Sequence, residues 1–131
     1  MAKYPHELKY TDSHEWLRDE GDGTATLGIT HYAQEALGDI VFLELPDVGD
    51  TLTRGESFGV VESVKTTSDL YAPVSGTVIA VNENLAKAPE TVNSDPHTEG
   101  WLLKVRMDDA QDVSSLMDAE AYLEHLAQAN H

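Results

Sequence analysis

The chain has 131 residues, of which eight are Lys or Arg and 24 are Asp or Glu, so its formal net charge is −16. This charge argues against nucleic acid and anionic membranes as partners, since both bind clustered basic residues, and it favours basic patches on partner proteins. The chain has no cysteine, which excludes disulfides, thiolate nucleophiles and Cys-based metal sites. A single domain is expected over residues 1–131, with no apolar signal segment and no membrane span.

The elements predicted before residue 50 are two strands with a helix between them. Alternation of apolar and polar residues predicts the strands. The side chains expected to share an inner face are Ala25, Leu27 and Ile29 in the first strand, and Val41, Leu43 and Leu45 in the second. Thr30 can cap a short helix over residues 31–37, and Gly38 suits the position after its end.

Further strands and a helical segment are predicted after residue 65. The same alternation places on inner faces Leu70, Ala72 and Val74, and later Trp101, Leu103, Val105 and Met107. In the segment of about 112–128, apolar residues recur at helical spacing, at Leu116, Ala119, Leu123 and Leu126. Asp118 is a possible cap there, so this segment is one helix or two. Many short strands with Gly and Pro turns predict a mainly β fold, a small barrel-sandwich of two packed antiparallel sheets.

The segment between Gly59 and Gly76 is the most informative part of the chain. An apolar strand near 58–64 and an alternating strand near 69–74 flank a polar tetrad, which predicts a β-hairpin with Lys65 at its tip. No other Lys or Arg lies between Arg54 and Lys87. An exposed primary amine in this position can be acylated by an enzyme. The simpler interpretation is an unmodified, solvated turn lysine.

Sequence motifs along most of the chain resemble the glycine cleavage H-protein family. The attachment segment is Glu62-Ser63-Val64-Lys65, followed by Ser68-Asp69 and Pro73-Val74-Ser75-Gly76. In family order the further motifs are Ser13-His14-Glu15-Trp16, Gly28-Ile29-Thr30, Ala33-Gln34, Leu37-Gly38-Asp39, Val41 to Pro46, Asn93-Ser94-Asp95-Pro96 and Gly100-Trp101. Each motif is weak alone, but the ordered set, over roughly residues 8 to 107, is specific.

The resemblance implies a lipoyl-domain-like fold and a carrier that has no catalytic residues and no metal. In the family, lipoate is amide-linked to the lysine that matches Lys65. The arm takes an aminomethyl group from a pyridoxal-phosphate glycine decarboxylase (P-protein) to an aminomethyltransferase (T-protein), and a dihydrolipoamide dehydrogenase (L-protein) reoxidises it. A lipoyl ligase or transferase attaches the group. The expected location is the bacterial cytoplasm, with a mature mitochondrial form left open.

The resemblance also implies roles for residues around the arm. Ser13, Glu15 and Asp69 match positions of a surface cleft that holds the loaded arm, where carboxylates suit a bound ammonium. The segment read by the attaching enzyme corresponds to Glu62, Ser63, Val64 and Ser68. We expect His14 and Trp16 to be mainly structural, with Trp16 in packing.

Several alternatives remain open at this stage. Biotin carriers usually place methionines beside the lysine, and lipoyl domains of 2-oxoacid dehydrogenases usually show Asp-Lys-Ala, whereas this chain has Val64 and Thr66 as neighbours. A carrier of this kind can also donate lipoyl groups to other proteins. An enzyme is disfavoured because the histidines form no pair at metal-ligand spacing and Ser13-His14 adjacency is not a triad. A plain acidic interaction module would differ in lacking any modification.

Overall fold

A computed structural model describes residues 4–129 of the chain, so both ends of the predicted 1–131 domain lie outside the described residues. The strands are β1 (Lys9–Tyr10), β2 (Glu15–Asp19), β3 (Thr24–Ile29), β4 (Ile40–Glu44), β5 (Thr51–Leu52), β6 (Ser57–Ser63), β7 (Thr67–Tyr71), β8 (Gly76–Val81) and β9 (Leu103–Met107). The helices are α1 (His31–Leu37), α2 (Asn84–Lys87), α3 (Thr91–Ser94), a 3₁₀ helix (Ala110–Ser115) and α4 (Ala119–Ala129).

The strands form two antiparallel sheets, as the sequence predicted. The larger sheet has the order β1-β2-β3-β9-β8-β5, and the smaller has the order β4-β6-β7. Side chains from both sheets form one apolar core, to which α1 contributes Leu37. The predicted inner faces of two runs, which contain Leu27 and Val74, are confirmed. The third run is confirmed from Leu103 to Met107, but Trp101 precedes β9 and is only partly buried.

The β2–β3 pair shows why the N-terminal motif has its sequence. Trp16 lies opposite Gly28, and its fully buried ring covers the position that a Cβ of Gly28 would need. The indole Nε1 donates a hydrogen bond of 2.8 Å to the carbonyl oxygen of Pro96. A buried indole N–H requires such a partner. The predicted packing role of Trp16 is therefore confirmed.

Two apolar residues are exposed although their spacing, alternating for Val41 and helical for Leu123, predicted an inward-facing side chain. Val41 is 53% exposed because β4 carries a bulge: Ile40 pairs with Ser63 and Phe42 with Glu62, which leaves Val41 as an extra residue. Such a residue breaks the period-two alternation of a strand. Leu123 is 46% exposed because α4 buries a face that contains Tyr122 instead. The predictions for these two side chains were wrong.

The helices bear out the capping predictions. The Thr30 side chain accepts a hydrogen bond from the N–H of Ala33, and α1 is followed by Gly38 with a φ of 81°. The predicted 112–128 segment contains the end of the 3₁₀ helix and most of α4, and Asp118 caps the latter by accepting from the N–H of Ala121 at 2.8 Å. None of the helices within residues 4–129 has the length and apolarity needed to cross a membrane.

The C-terminal helix packs on the start of the chain through an aromatic contact. The Tyr122 ring is stacked on that of Tyr10, with ring centroids 4.8 Å apart. The Tyr122 hydroxyl lies 2.7 Å from Nδ1 of His14 and 2.8 Å from the Thr30 hydroxyl. His14 itself has a φ of 73°, which is rare for a residue with a side chain. The predicted structural role of His14 is confirmed by its hydrogen bond to Tyr122.

Candidate functional site

Lys65 lies in the tight connection between β6 and β7, and its side chain is exposed, as predicted. Ser63 fixes the shape of the connection: its N–H donates to the carbonyl oxygen of Thr66 at 2.8 Å. Its hydroxyl oxygen accepts from the N–H groups of Thr66 at 3.1 Å and Lys65 at 3.3 Å. A short polar side chain that bonds to nearby backbone is a typical turn former. Ser63 therefore stabilises the backbone from which Lys65 extends.

The tip of the hairpin is also hydrogen-bonded to a segment outside the hairpin. The N–H of Val64 donates to the carbonyl oxygen of Asp39 at 3.0 Å, which connects the tip to the segment after α1. The Lys65 stem lies over Gly38, where an added Cβ would be 3.5 Å from the lysine Cε. Since Gly38 has a φ of 81°, a residue with a side chain would be strained there whatever the space. The backbone at Lys65 is thus anchored, while its amine forms no ion pair with the residues between 4 and 129.

Asn93 secures the segment that holds the tip. Its amide oxygen accepts from the N–H of Ile40 at 2.9 Å, and its amide nitrogen donates to the carbonyl oxygen of Gly38 at 2.8 Å and to Oε1 of Gln34 at 3.1 Å. One side chain therefore spans both sides of Asp39. Sequence reasoning missed this role, although it had singled out the Asn93-Ser94-Asp95-Pro96 motif.

An open cleft of about 580 Å³ lies near the other end of β7. Its lining includes Thr11, Ser13, Glu15, Tyr71 and Met117. Ser13 and Glu15, which the resemblance assigns to a cleft, both line this one, and the Ser13 hydroxyl donates to Oε1 of Glu15 at 2.5 Å. Asp69 does not line this cleft but is exposed two residues before Tyr71 on the same face of β7.

Glu15 is only 2% exposed, yet its carboxylate is well supplied with hydrogen-bond donors. Oε1 accepts from the hydroxyls of Thr11 at 2.7 Å and Ser13, and Oε2 accepts from the Tyr71 N–H at 3.1 Å. Burial raises the pKa of Glu15 above its ordinary value, although these hydrogen bonds act in the opposite direction. A carboxylate offers about four acceptor positions. Three are in use, and the one that remains is on Oε2.

The other predicted recognition residues surround the tip. Glu62, Val64 and Ser68 are exposed, and Ser63 is partly exposed. Glu62 lies between Phe42 and Thr67 on neighbouring strands, so these three side chains form a row across the outer face of the small sheet. Residues 4–129 contain no cluster of three or more His, Asp or Glu side chains that could hold a metal ion.

Comparisons with known proteins match most of the chain. The family model described as glycine cleavage H-protein matches residues 8–129. The H protein of Chromohalobacter salexigens is 58% identical over 122 residues, which cover 93% of this chain and 93% of that protein. The H protein of Idiomarina loihiensis is 55% identical over 122 residues, covering 93% and 95%. A crystal structure of the Mycobacterium marinum H protein superposes with a TM-score of 0.84 at 42% identity, covering 97% of this chain and 99% of that one.

Two packed antiparallel sheets, with an exposed lysine at a hairpin tip, form a barrel-sandwich domain. With the matches over most of its length, the chain belongs to the glycine cleavage H-protein family.

Proposed function

We propose that this protein carries a lipoyl group on Lys65 and, through it, the aminomethyl group of glycine. The observation that carries the proposal is the tip itself: an exposed amine on a backbone that is held from two sides. Tethered transfer benefits from such a base, because a fixed attachment point raises the effective concentration of the arm at each partner site. The whole chain, residues 1–131, is proposed to act as one carrier domain.

The dimensions of the hairpin fit a lipoyl group. When attached, this group supplies a disulfide that opens reversibly to accept and release cargo. An extended lipoyl-lysine chain spans about 15 Å at ordinary bond lengths. From Thr67 to Tyr71 the β7 strand rises about 13 Å at 3.3 Å per residue. Because the Lys65 stem lies towards Gly38, it has to swing across the hairpin to follow β7 towards the cleft.

Ser13 and Glu15 are proposed to receive the loaded end of the arm, and Asp69 to border its route. An amine cargo is protonated at neutral pH, and the free acceptor position on Oε2 of Glu15 suits an ammonium. The Ser13 hydroxyl orients the carboxylate by bonding to its other oxygen. Asp69 adds negative charge on the exposed face between the tip and the cleft.

The proposed partners are the P-protein, the T-protein and the L-protein of the glycine cleavage system, together with a lipoyl ligase or transferase. The attaching enzyme is proposed to recognise Glu62, Ser63, Val64 and Ser68 around the target lysine. The chemistry belongs to these partners and the cofactor, so the carrier needs no catalytic residue of its own. The proposed location, from the bacterial relatives, is the cytoplasm.

The test is the substitution Lys65→Arg, which keeps the charge and removes the acylatable amine. Intact mass followed by peptide mapping should show one lipoyl increment on Lys65 of the parent and none on the variant. Reconstituted glycine cleavage with the variant should fall to background. Lys87→Arg, at another exposed lysine, is the matched control and should behave as the parent. Full activity of Lys65→Arg would refute the proposal.

A further inference from the structure

The outer face of the small sheet carries apolar side chains beside the target lysine. Phe42 is 52% exposed on β4, and Val64, next to Lys65, is 70% exposed. Phe42 stands directly opposite Glu62, which is three residues before Lys65. Large apolar side chains exposed together commonly mark a surface for binding another protein.

The bulge in β4 extends this surface. Regular alternation from Leu43, which packs against the core, already directs Phe42 outward, and the extra residue Val41 allows Ile40 to face the core. With it, Ile40 is buried while Val41 and Phe42 are both more than half exposed. Bulges commonly re-aim side chains at functional sites. We call Val41, Phe42 and Val64 the tip patch.

The tip patch is bordered by carboxylates. Asp39, Glu44 and Glu62 are exposed around it, and none of them forms an ion pair within the part of the chain that the structure describes. An apolar centre with an acidic border is complementary to an apolar recess with a basic border. Aromatic side chains such as Phe42 are typical anchors at the centre of such interfaces.

The unmodified lysine lies on the same side of the hairpin as the tip patch. Its stem covers Gly38, and the N–H of Val64 bonds to Asp39, so Lys65, Val64 and the start of β4 adjoin one another. The cleft that contains Glu15 lies instead by the opposite edge strand, β7. The two edges of the small sheet therefore present different surfaces.

We propose that the tip patch is the docking surface for the enzyme that acylates Lys65. This inference rests on the proposed carrier function. An enzyme that forms the amide must bring its reacting centre to Nζ, so it has to contact the surface at the base of the arm. Enzymes that act on the far end of the attached arm meet it about 15 Å away from the lysine backbone. The expected partner face has an apolar recess for Phe42 with Lys and Arg around it.

The step served by this docking is a transfer of an activated acyl group. The deprotonated Nζ attacks the carbonyl carbon of a lipoyl mixed anhydride or thioester, forming the C–N bond. The bond from that carbon to the leaving oxygen or sulfur breaks, and the leaving group departs with the electron pair. Nitrogen then loses one proton to solvent or to a base of the enzyme, and no redox change occurs.

The experiment compares acylation of Phe42→Thr, Val64→Thr and the parent by purified lipoate ligase with ATP and lipoate, followed by intact mass. Threonine keeps strand propensity and removes the apolar surface. We expect the KM for each variant carrier to rise at least tenfold with kcat little changed, as for loss of an interface anchor. Val48→Thr, at an apolar residue that is 64% exposed between β4 and β5, is the matched control and should behave as the parent.

A second measurement identifies which partner uses the surface. The variants are fully lipoylated at high ligase concentration and then assayed as substrates of dihydrolipoamide dehydrogenase, where KM should match the parent. If the parent and the variants were acylated with the same KM, the inference would be overturned. It would also be overturned if the KM of the dehydrogenase rose in the variants as much as the KM for acylation. If the parent were not acylated on Lys65, the carrier proposal itself would fail. Urea unfolding midpoints near that of the parent establish that the variants are folded.

Discussion

Substitution of Glu15 by glutamine tests whether its charge or its hydrogen bonds matter. The amide oxygen of glutamine can accept from the Tyr71 N–H, while its NH₂ group donates to the hydroxyls of Thr11 and Ser13, which can rotate to accept. The shape and the local bonding are therefore kept. What is lost is the negative charge that faces the cleft.

The magnitude follows from the single acceptor position left on Oε2. One charge-assisted hydrogen bond to an ammonium contributes about 1.5–3 kcal/mol. Its complete loss would shift the ratio of docked to free arm by roughly 10- to 150-fold, since each 1.4 kcal/mol is a factor of ten. This is the upper limit for Glu15→Gln, because the neutral amide oxygen still accepts a weaker hydrogen bond. Folding stability should change by less than about 1 kcal/mol, because removing a buried charge offsets the weaker hydrogen bonds.

The assay is ammonia release over time from the isolated, amine-loaded carrier without aminomethyltransferase. Glu15→Gln should release ammonia faster than the parent. If only the free arm decomposes, the rate should rise by up to the shift in the ratio of docked to free arm given above. Ser13→Ala, which leaves the carboxylate in place, should have a smaller effect. Indistinguishable release rates for Glu15→Gln and parent would remove Glu15 from the arm site and direct attention to Asp69.

Three further predictions concern stability, pH and salt. Asn93→Asp removes two donated hydrogen bonds, so it should lower the free energy of unfolding by about 2–4 kcal/mol in urea titrations and speed hydrogen exchange at the hairpin tip. Asn84→Asp, at an exposed residue, is the control. Equal stabilities of the two variants would contradict the supporting role of Asn93. Burial holds the pKa of His97 at about 4, below its unfolded value near 6.5, so the unfolded chain binds the proton first and unfolding should become easier by about 2–3 kcal/mol as pH falls from 7 to 4.5. The raised pKa of Glu15 acts in the opposite sense and offsets part of this loss. Because that contribution remains in His97→Gln, the variant should lose less stability than the parent over this pH range, and an equal loss would contradict the role of the histidine. The KM of the decarboxylase for the carrier should rise with salt, because salt screens the attraction between the acidic carrier and basic residues of the enzyme, and it should be higher still for Glu62→Lys. A KM that does not change with salt would indicate purely apolar docking.

The fold was largely predictable because most strands obey simple alternation. Leu70, Ala72 and Val74 face the core as their spacing indicates, and the caps of α1 and α4 follow from Thr30 and Asp118. The same rule fails where the backbone departs from regularity, as at Val41 in the bulge. A pattern read along one strand contains no information about the register with its partner, and the bulge exists only in that pairing.

The site was predictable in its residues but not in its connections. A lysine between two strand-forming runs is visible in the sequence, whereas the support of its base by Asn93 joins residues more than 50 positions apart. The same holds for the bond from the Tyr71 N–H to Glu15. Long-range hydrogen bonds of this kind depend on how the two sheets pack, which local spacing does not specify.

The hydrogen bond from the Tyr71 N–H to Glu15 affects the tendency of the protein to aggregate at high concentration. Strand β7 lies at an edge of its sheet, and an edge with free N–H groups is a template on which another chain can add a strand and begin to aggregate. Glu15 occupies one of those N–H groups from within the same molecule, and Asp69 places a charge beside it. The carboxylates proposed to receive the cargo therefore also keep this edge from pairing with other chains.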